Sequence, residues 1–213
     1  KWAESGDPQG MTWLSRQLLN TEEKLTASMI EESVDWWIKG VQATGEPIDK
    51  ASPLGNNGSG YEYLHDKPEG ITWLKRAVEQ VPEIWNVLGA RFAREGKPQD
   101  SLNAFKSAQT ADVFSGSSLA SAFSDSKSLK PFEDQVLVIL KESDDYFSAC
   151  FSIARRYQAE AELATPPNDQ SYQRARVWAE RSASGGEANW LLAELLAMGL
   201  GGPADEARAL TMI

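Results

Sequence analysis

The side chains best suited to chemistry are few in this chain of 213 residues. It has one histidine, His65, and one cysteine, Cys150. Zinc sites and nucleophilic triads need several His, Cys, Ser or Asp side chains at recognisable spacings. Neither residue lies in an HExxH, paired Cys/His or G-x-S-x-G pattern. We therefore predict that the protein is not an enzyme and holds neither a metal nor a cofactor.

One remote enzymatic alternative remains open. The run 124–127 reads S-x-x-K and the run 101–103 reads S-x-N, two patterns found in serine acyl-enzymes. No K-T-G follows them, and their order along the chain is reversed. A hydrolase on a helical scaffold would lose turnover when Ser124 or His65 is replaced.

Carboxylates cluster in three places, and paired carboxylates can do acid–base chemistry or hold Ca²⁺. Two clusters fall where we predict helix starts, a position that suits negative charge because of the helix dipole. The third cluster lies within one helical turn, and it is either a solvated helix face or the edge of a site. The clusters are Glu22-Glu23, Glu31-Glu32 with Asp35, and Asp144-Asp145.

The elements that position these residues repeat along the chain. The pattern G-x-P-x-D occurs at 45–49, 96–100 and 201–205, and the segment 8–16 echoes 68–76. Such internal repeats indicate stacked helical pairs. Seven residues recur 105 positions later: Trp73, Arg76, Trp85, Gly96, Pro98, Asp100 and Ala104 become Trp178, Arg181, Trp190, Gly201, Pro203, Asp205 and Ala209.

Each G-x-P-x-D block predicts a hinge between two helices. Its Gly can close one helix in the left-handed conformation, its Pro cannot continue that helix, and its Asp can cap the next. Two segments interrupt the pattern as loop insertions, 50–70 and the Ser-rich 114–131, which has helical potential at 119–123. Insertions of this kind are either functional or tolerated at the surface. Apolar spacing predicts helices at 11–19, 22–39 with Thr21 as its cap, 71–80, 83–94, 100–111, 132–141, 145–163, 171–184, 187–198 and from 203 onward.

The charge balance restricts the partners. The net charge of −10 argues against nucleic acid and against anionic membrane surfaces, since both attract Lys and Arg. It permits a basic protein partner, or it serves only solubility. No apolar run is long enough for stable membrane insertion. The chain opens on Lys1, so we read it as a mature or trimmed product.

The run 188–205 resembles a known repeat. A helix rich in small residues ends at Gly199 and Gly201, and a short loop then reaches Asp205, as in the Sel1-like repeat, a relative of the tetratricopeptide repeat. The resemblance is best over 148–213 and partial over 83–111. It implies an all-α fold of one domain, 1–213, built as an irregular α-solenoid of antiparallel helix pairs.

The same resemblance implies a non-catalytic binding scaffold. Exported bacterial members of the family include immunity proteins that neutralise toxins of type VI secretion, phospholipases among them. We therefore expect an immunity protein in the periplasm of a Gram-negative bacterium that occludes a toxin with a basic surface. The alternatives are a cell-envelope or signalling adaptor, a cytoplasmic location and the hydrolase above.

The adjacent pair Trp36-Trp37 suggests where a partner binds. Neighbouring helical residues point about 100° apart, so either one ring is an exposed anchor or both are buried between helices. The acidic neighbours and the aromatic end of the 50–70 insertion complete the predicted contact set. It comprises Glu32, Asp35, Trp36, Tyr61, Tyr63, His65 and Asp66.

Overall fold

The computed structural model describes residues 3–19, 26–44, 70–79, 82–183 and 186–212. These ranges contain eleven α-helices, two short 3-10 helices and no strand, which confirms the all-α prediction. The helices are α1 (Pro8–Leu19), α2 (Ala27–Thr44), α3 (Gly70–Val78), α4 (Ile84–Arg94), α5 (Pro98–Thr110), α6 (Gly116–Asp125), α7 (Glu133–Leu140), α8 (Tyr146–Leu163), α9 (Asp169–Ser182), α10 (Gly186–Ala197) and α11 (Glu206–Leu210). The 3-10 helices are Ala3–Ser5 and Lys127–Phe132.

Most helices begin and end within about two residues of their predicted bounds, and α2 is the main exception. It ends at Thr44 rather than at residue 39, and the Thr26 hydroxyl accepts a hydrogen bond from the Met29 amide at 3.3 Å as its cap. The predicted cap Thr21, the hinge 45–49 and nearly all of the insertion 50–70 lie outside the described residues.

The insertion 114–131 is not the loop that its serines suggested. Helix α6 occupies most of it, and the 3-10 helix Lys127–Phe132 follows. The Ser115 hydroxyl caps α6 by accepting from the Ser118 amide at 3.2 Å. Leu119 and Phe123, four residues apart, are fully buried. The serines therefore cap and solvate a helix whose apolar face belongs to the core.

The helices pack as consecutive pairs, with α1 against α2, α4 against α5, α8 against α9 and α10 against α11. Helix α6 bridges two pairs because it contacts both α4 and α8. One apolar core is built by residues of α4 to α11, and a second by residues of α2 to α5.

The two described hinges share the predicted backbone geometry. Gly96 and Gly201 both have φ of +72°, the left-handed conformation that ends a helix. The Asp205 carboxylate caps α11 by accepting from the Arg208 amide at 3.0 Å, so α11 begins at 206 rather than at 203. The predicted cap at Asp100 is wrong: α5 begins two residues earlier, and Asp100 lies within its first turn.

A carboxylate at the start of α8 holds the start of α6. Asp145 accepts hydrogen bonds from the amides of Gly116 and Ser117, at 2.9 and 2.8 Å, and from the Ser117 hydroxyl at 2.6 Å. Burial opposes ionisation of Asp145, but the hydrogen bonds from Ser117, Ser143 and Gly116 outweigh it and hold its pKa below the ordinary value.

Replacing Asp145 with alanine should lower the free energy of unfolding by about 1–3 kcal/mol near neutral pH, because two amides at the α6 terminus lose their acceptor. Since the folded pKa is depressed, this stabilisation is present above the ordinary Asp value and is lost as pH falls through the folded pKa. Urea unfolding near pH 7 and near pH 3 measures both effects. The exposed neighbour Asp144→Ala is the matched control, and an equal loss in both variants would contradict this role.

Candidate functional site

The residues of the hydrolase alternative are only partly assembled. Ser101 is fully buried and its hydroxyl donates to the Gly89 carbonyl at 2.7 Å, so it has a structural role and no access to substrate. Ser124 is partly exposed in a shallow polar cleft beside an Arg156–Asp125 ion pair of 2.7 Å. His65 lies outside the described residues, and within those ranges no three His, Cys, Asp or Glu residues are grouped to hold a metal ion.

Cys150 is a core residue with an unreactive thiol. Its side chain is fully buried in α8, where burial raises the pKa of the thiol to about 11 despite a hydrogen bond with Tyr146 and the nearby charge of Arg181. A protonated thiol without solvent access is a poor nucleophile. Cys150 therefore packs as a small buried hydrophobe of the core.

We expect Cys150 to resist alkylation in the folded protein and to make stability fall at alkaline pH. The unfolded thiol ionises near its ordinary pKa of 9.0, whereas the folded thiol ionises near 11. The contribution of the thiol to the free energy of unfolding is complete below its ordinary pKa. It declines by up to about 3 kcal/mol as pH rises to the pKa of the folded thiol. Urea unfolding between these pH values should show a shallower decline for Cys150→Ala. Parallel declines in the two proteins would contradict the raised pKa.

The adjacent pair Trp36-Trp37 on α2 consists of one core ring and one surface ring. Trp37 is 1% exposed in the core, whereas Trp36 is partly exposed, so the alternative with both rings buried is wrong. The Trp36 indole donates to Glu32 at 3.4 Å, and the Lys39 ammonium lies 4.7 Å from its ring centroid. Trp36 and Glu32 are thus in contact on α2, and partner contact by Trp36, Glu32 and Asp35 stays a prediction. Tyr61, Tyr63, His65 and Asp66 lie outside the described residues.

A larger concave surface lies at the other end of the described chain, between α8, α10 and α11. We call it the C-terminal groove, and its volume is about 780 Å³. Its apolar floor includes the buried Leu191, Ala193 and Ala209. At its edge Trp190 is 61% exposed and Leu210 is 75% exposed. The remaining residues that line it are Phe151, Arg155, Glu187, Glu194, Ala197 and Glu206.

The rim of the C-terminal groove is acidic. Glu187, Glu194 and Glu206 are exposed there, against one cation, Arg155, whose guanidinium donates to Gln158 at 2.8 Å. Three carboxylates and one guanidinium leave a net negative rim on a chain whose total charge is −10. Such a field attracts a basic partner surface.

The earlier repeat copy shows how the equivalent face is covered. Phe105 on α5 packs over Gly89 on α4, where an added Cβ would meet the ring at 2.6 Å. Phe114 then stacks edge-on to Phe105, with ring centroids 6.2 Å apart. The Asn86 amide donates to the Val113 carbonyl at 2.7 Å and accepts from the Ser115 amide at 3.0 Å. The segment 113–115 thus packs on Asn86 and Phe105 as it leads into α6, whereas Leu88, Phe92 and Ala104 pack in the second core with residues of α2 and α3.

The later copy differs at these positions, and sequence reasoning missed the difference. Counting 105 residues on, Asn86 becomes Leu191, Gly89 becomes Glu194 and Phe105 becomes Leu210. Leu191, Glu194 and Leu210 line a groove that is open within the described ranges. Because Trp85 is the repeat counterpart of Trp190, the repeat alignment predicts that packing within the protein is the first role of Trp190 and recognition of a partner its second. The replacement of Asn86 by Leu191 and of Gly89 by Glu194 was the sequence signal that the two faces differ.

Comparisons with known proteins show a likeness to a solved structure. The chain matches no protein-family model and no curated protein. Within the described residues no helix has the length and apolarity needed to cross a bilayer. A crystal structure of a Sel1 repeat protein from Oxalobacter formigenes is similar to this chain at 21% identity with a TM-score of 0.43. The match covers 99% of this chain and 62% of that one. The chain therefore spans less than two thirds of that protein's length, and the likeness assigns it no function.

Proposed function

We propose that this chain is a non-catalytic protein-binding array of helix pairs and that the C-terminal groove is its docking surface. One observation carries the proposal: Trp190 and Leu210 stand in water at the edge of a concave apolar floor. Exposed aromatic side chains beside apolar concavities are characteristic of binding hot spots.

The position of these two side chains favours a macromolecule over a small ligand. The groove volume lies within the range of small-molecule sites. A small ligand on the floor would leave Trp190 and Leu210 largely in water, because both stand at the rim. A protein surface laid across the rim would bury both and gain their transfer free energy.

The specific version that we propose is an immunity protein acting in the periplasm of a Gram-negative bacterium. The sequence resemblance suggests this role, and the acidic rim supports a toxin whose active-site cleft is bordered by basic residues. Inhibition would be steric, with charge attraction speeding the encounter. The predicted contacts Trp36, Glu32 and Asp35 provide a second contact area on α2.

Partner recovery with matched variants tests this function. We would express the tagged chain, the double variant Trp190→Ala/Leu210→Asp and the control Leu163→Ala, whose leucine is 85% exposed outside the groove. We expect one stoichiometric partner with the wild type and the control, and none with the double variant. The purified partner should be an enzyme that the wild-type chain inhibits. Several weak partners that survive the double variant would instead favour an adaptor and refute the groove.

A further inference from the structure

Resting on the proposed function, we propose that the occupant of the C-terminal groove is an amphipathic α-helix of the partner, apolar on one face and flanked by Lys or Arg. The proposed function requires only that a protein binds in the groove, whereas this occupant is one kind of structure, a helix. Three independent features of the two repeat copies support it.

The first feature is the internal template. In the earlier copy an aromatic residue, Phe114, seats against the α5 ring Phe105, and α6 then packs along α4. At Phe105, the α4–α5 pair therefore packs against an aromatic side chain that leads into a helix. Leu191 on α10 and Leu210 on α11 stand 105 residues after Asn86 and Phe105, and both line the C-terminal groove.

The second feature is what the groove cannot offer. Its floor consists of helix side chains, and the Asn86 amide that binds the 113–115 backbone is replaced by the apolar Leu191. An extended peptide would bury amide and carbonyl groups there without partners. A helix satisfies its own backbone and presents only side chains to the groove.

The third feature is charge. Gly89 and Ser101 of the earlier copy become Glu194 and Glu206, which adds two carboxylates to a face that is covered internally in that copy. With Glu187 they outnumber Arg155, so acidic flanks on the occupant would be repelled and basic flanks attracted. The same argument disfavours a second copy of this chain, whose groove would bring its own acidic rim.

Three synthetic helices test the inference directly. Each would be a stapled amphipathic peptide of about 18 residues, or five turns, with the same Phe and Leu stripe and with Lys, Gln or Glu flanks. We would measure affinity by fluorescence anisotropy at about 0.15 M salt, where distant charges are screened. We expect the Lys peptide to bind at least about tenfold more tightly than the Glu peptide, with the Gln peptide between them.

Matched variants separate the groove from general charge attraction. The double variant Trp190→Ala/Leu210→Asp should lower the affinity for the Lys peptide at least about tenfold. The triple variant Glu187→Gln/Glu194→Gln/Glu206→Gln should remove most of the preference for the Lys peptide over the Glu peptide. The control Asp134→Asn/Glu142→Gln/Asp144→Asn changes three exposed acids outside the groove and should leave the preference intact. Circular dichroism would confirm that each variant is folded.

Each contrary result identifies what fails. Lys-peptide binding that is insensitive to the Trp190/Leu210 variant would overturn the groove as the helix site. Equal binding by a proline-containing, non-helical form of the Lys peptide would overturn the helix. A dimer in sedimentation equilibrium that the double variant dissociates would make a second copy the occupant. If the natural partner needs the groove but no helix binds, the proposed function stands and this inference falls.

Discussion

Replacing Gly201 with alanine is expected to lower the free energy of unfolding by at least about 3 kcal/mol, whereas Gly96→Ala should cost about 1 kcal/mol. The two glycines occupy equivalent hinge positions and share φ of +72°, so the backbone penalty for a Cβ is common to both. They differ in surroundings. A Cβ on Gly201 would overlap the Tyr172 carbonyl and the Gln173 amide of α9, whereas a Cβ on Gly96 would meet nothing within 4 Å.

This pair is a matched experiment because one substitution is placed at two copies of the same turn. Urea unfolding of both variants measures the difference, and the reduced conformational freedom of the unfolded chain affects the two alike. Overlap with backbone cannot be relieved by a rotamer change, so α9 must shift from the hinge. Equal losses in the two variants would show that α9 does not lie against Gly201.

Truncating Trp190 to alanine is expected to weaken binding of the partner at least 30-fold, or by about 2 kcal/mol, while leaving stability nearly unchanged. A side chain that is 61% exposed contributes little to folding, yet it can be fully buried when a partner covers the groove. Leu163→Ala removes an even more exposed side chain outside the groove and should change affinity less than about twofold.

Titration calorimetry with the purified partner measures both affinities, and thermal unfolding of the free variants verifies the stability claim. The heat-capacity change of binding should also become less negative in Trp190→Ala, because less apolar surface is buried. Similar affinities for the Trp190 and Leu163 variants would place the contact elsewhere, with the Trp36 face of α2 as the next candidate.

The hinges and most helix ends could be predicted from sequence because their causes are local. The causes are glycine at positive φ, proline at the beginning of the helix after the hinge, and apolar residues four apart. Each acts within one or two helical turns. The offset of 105 residues then relates the corresponding signals of the two repeat copies. Gly96 and Gly201, for example, have the same backbone conformation.

The parts that sequence reasoning missed depend on contacts distant in the chain. Helix α6 looked like a serine-rich loop because its N-terminus is held from 28 residues away by Asp145. The C-terminal groove was missed because Trp85 and Trp190 share a repeat position but not the same neighbours. Residues 113–115 pack on Asn86 and Phe105, whereas the counterparts of those two residues, Leu191 and Leu210, line the groove.

Hydrogen exchange of backbone amides, compared between the free chain and its complex with the purified partner, tests the central claim most directly. Exchange slows where a bound surface is covered or an element is stabilised. Docking in the C-terminal groove predicts slower exchange in α10 and α11 and in the part of α8 around Phe151, with little change in α1. Slower exchange confined to α2, or to any region that excludes α10 and α11, would contradict it.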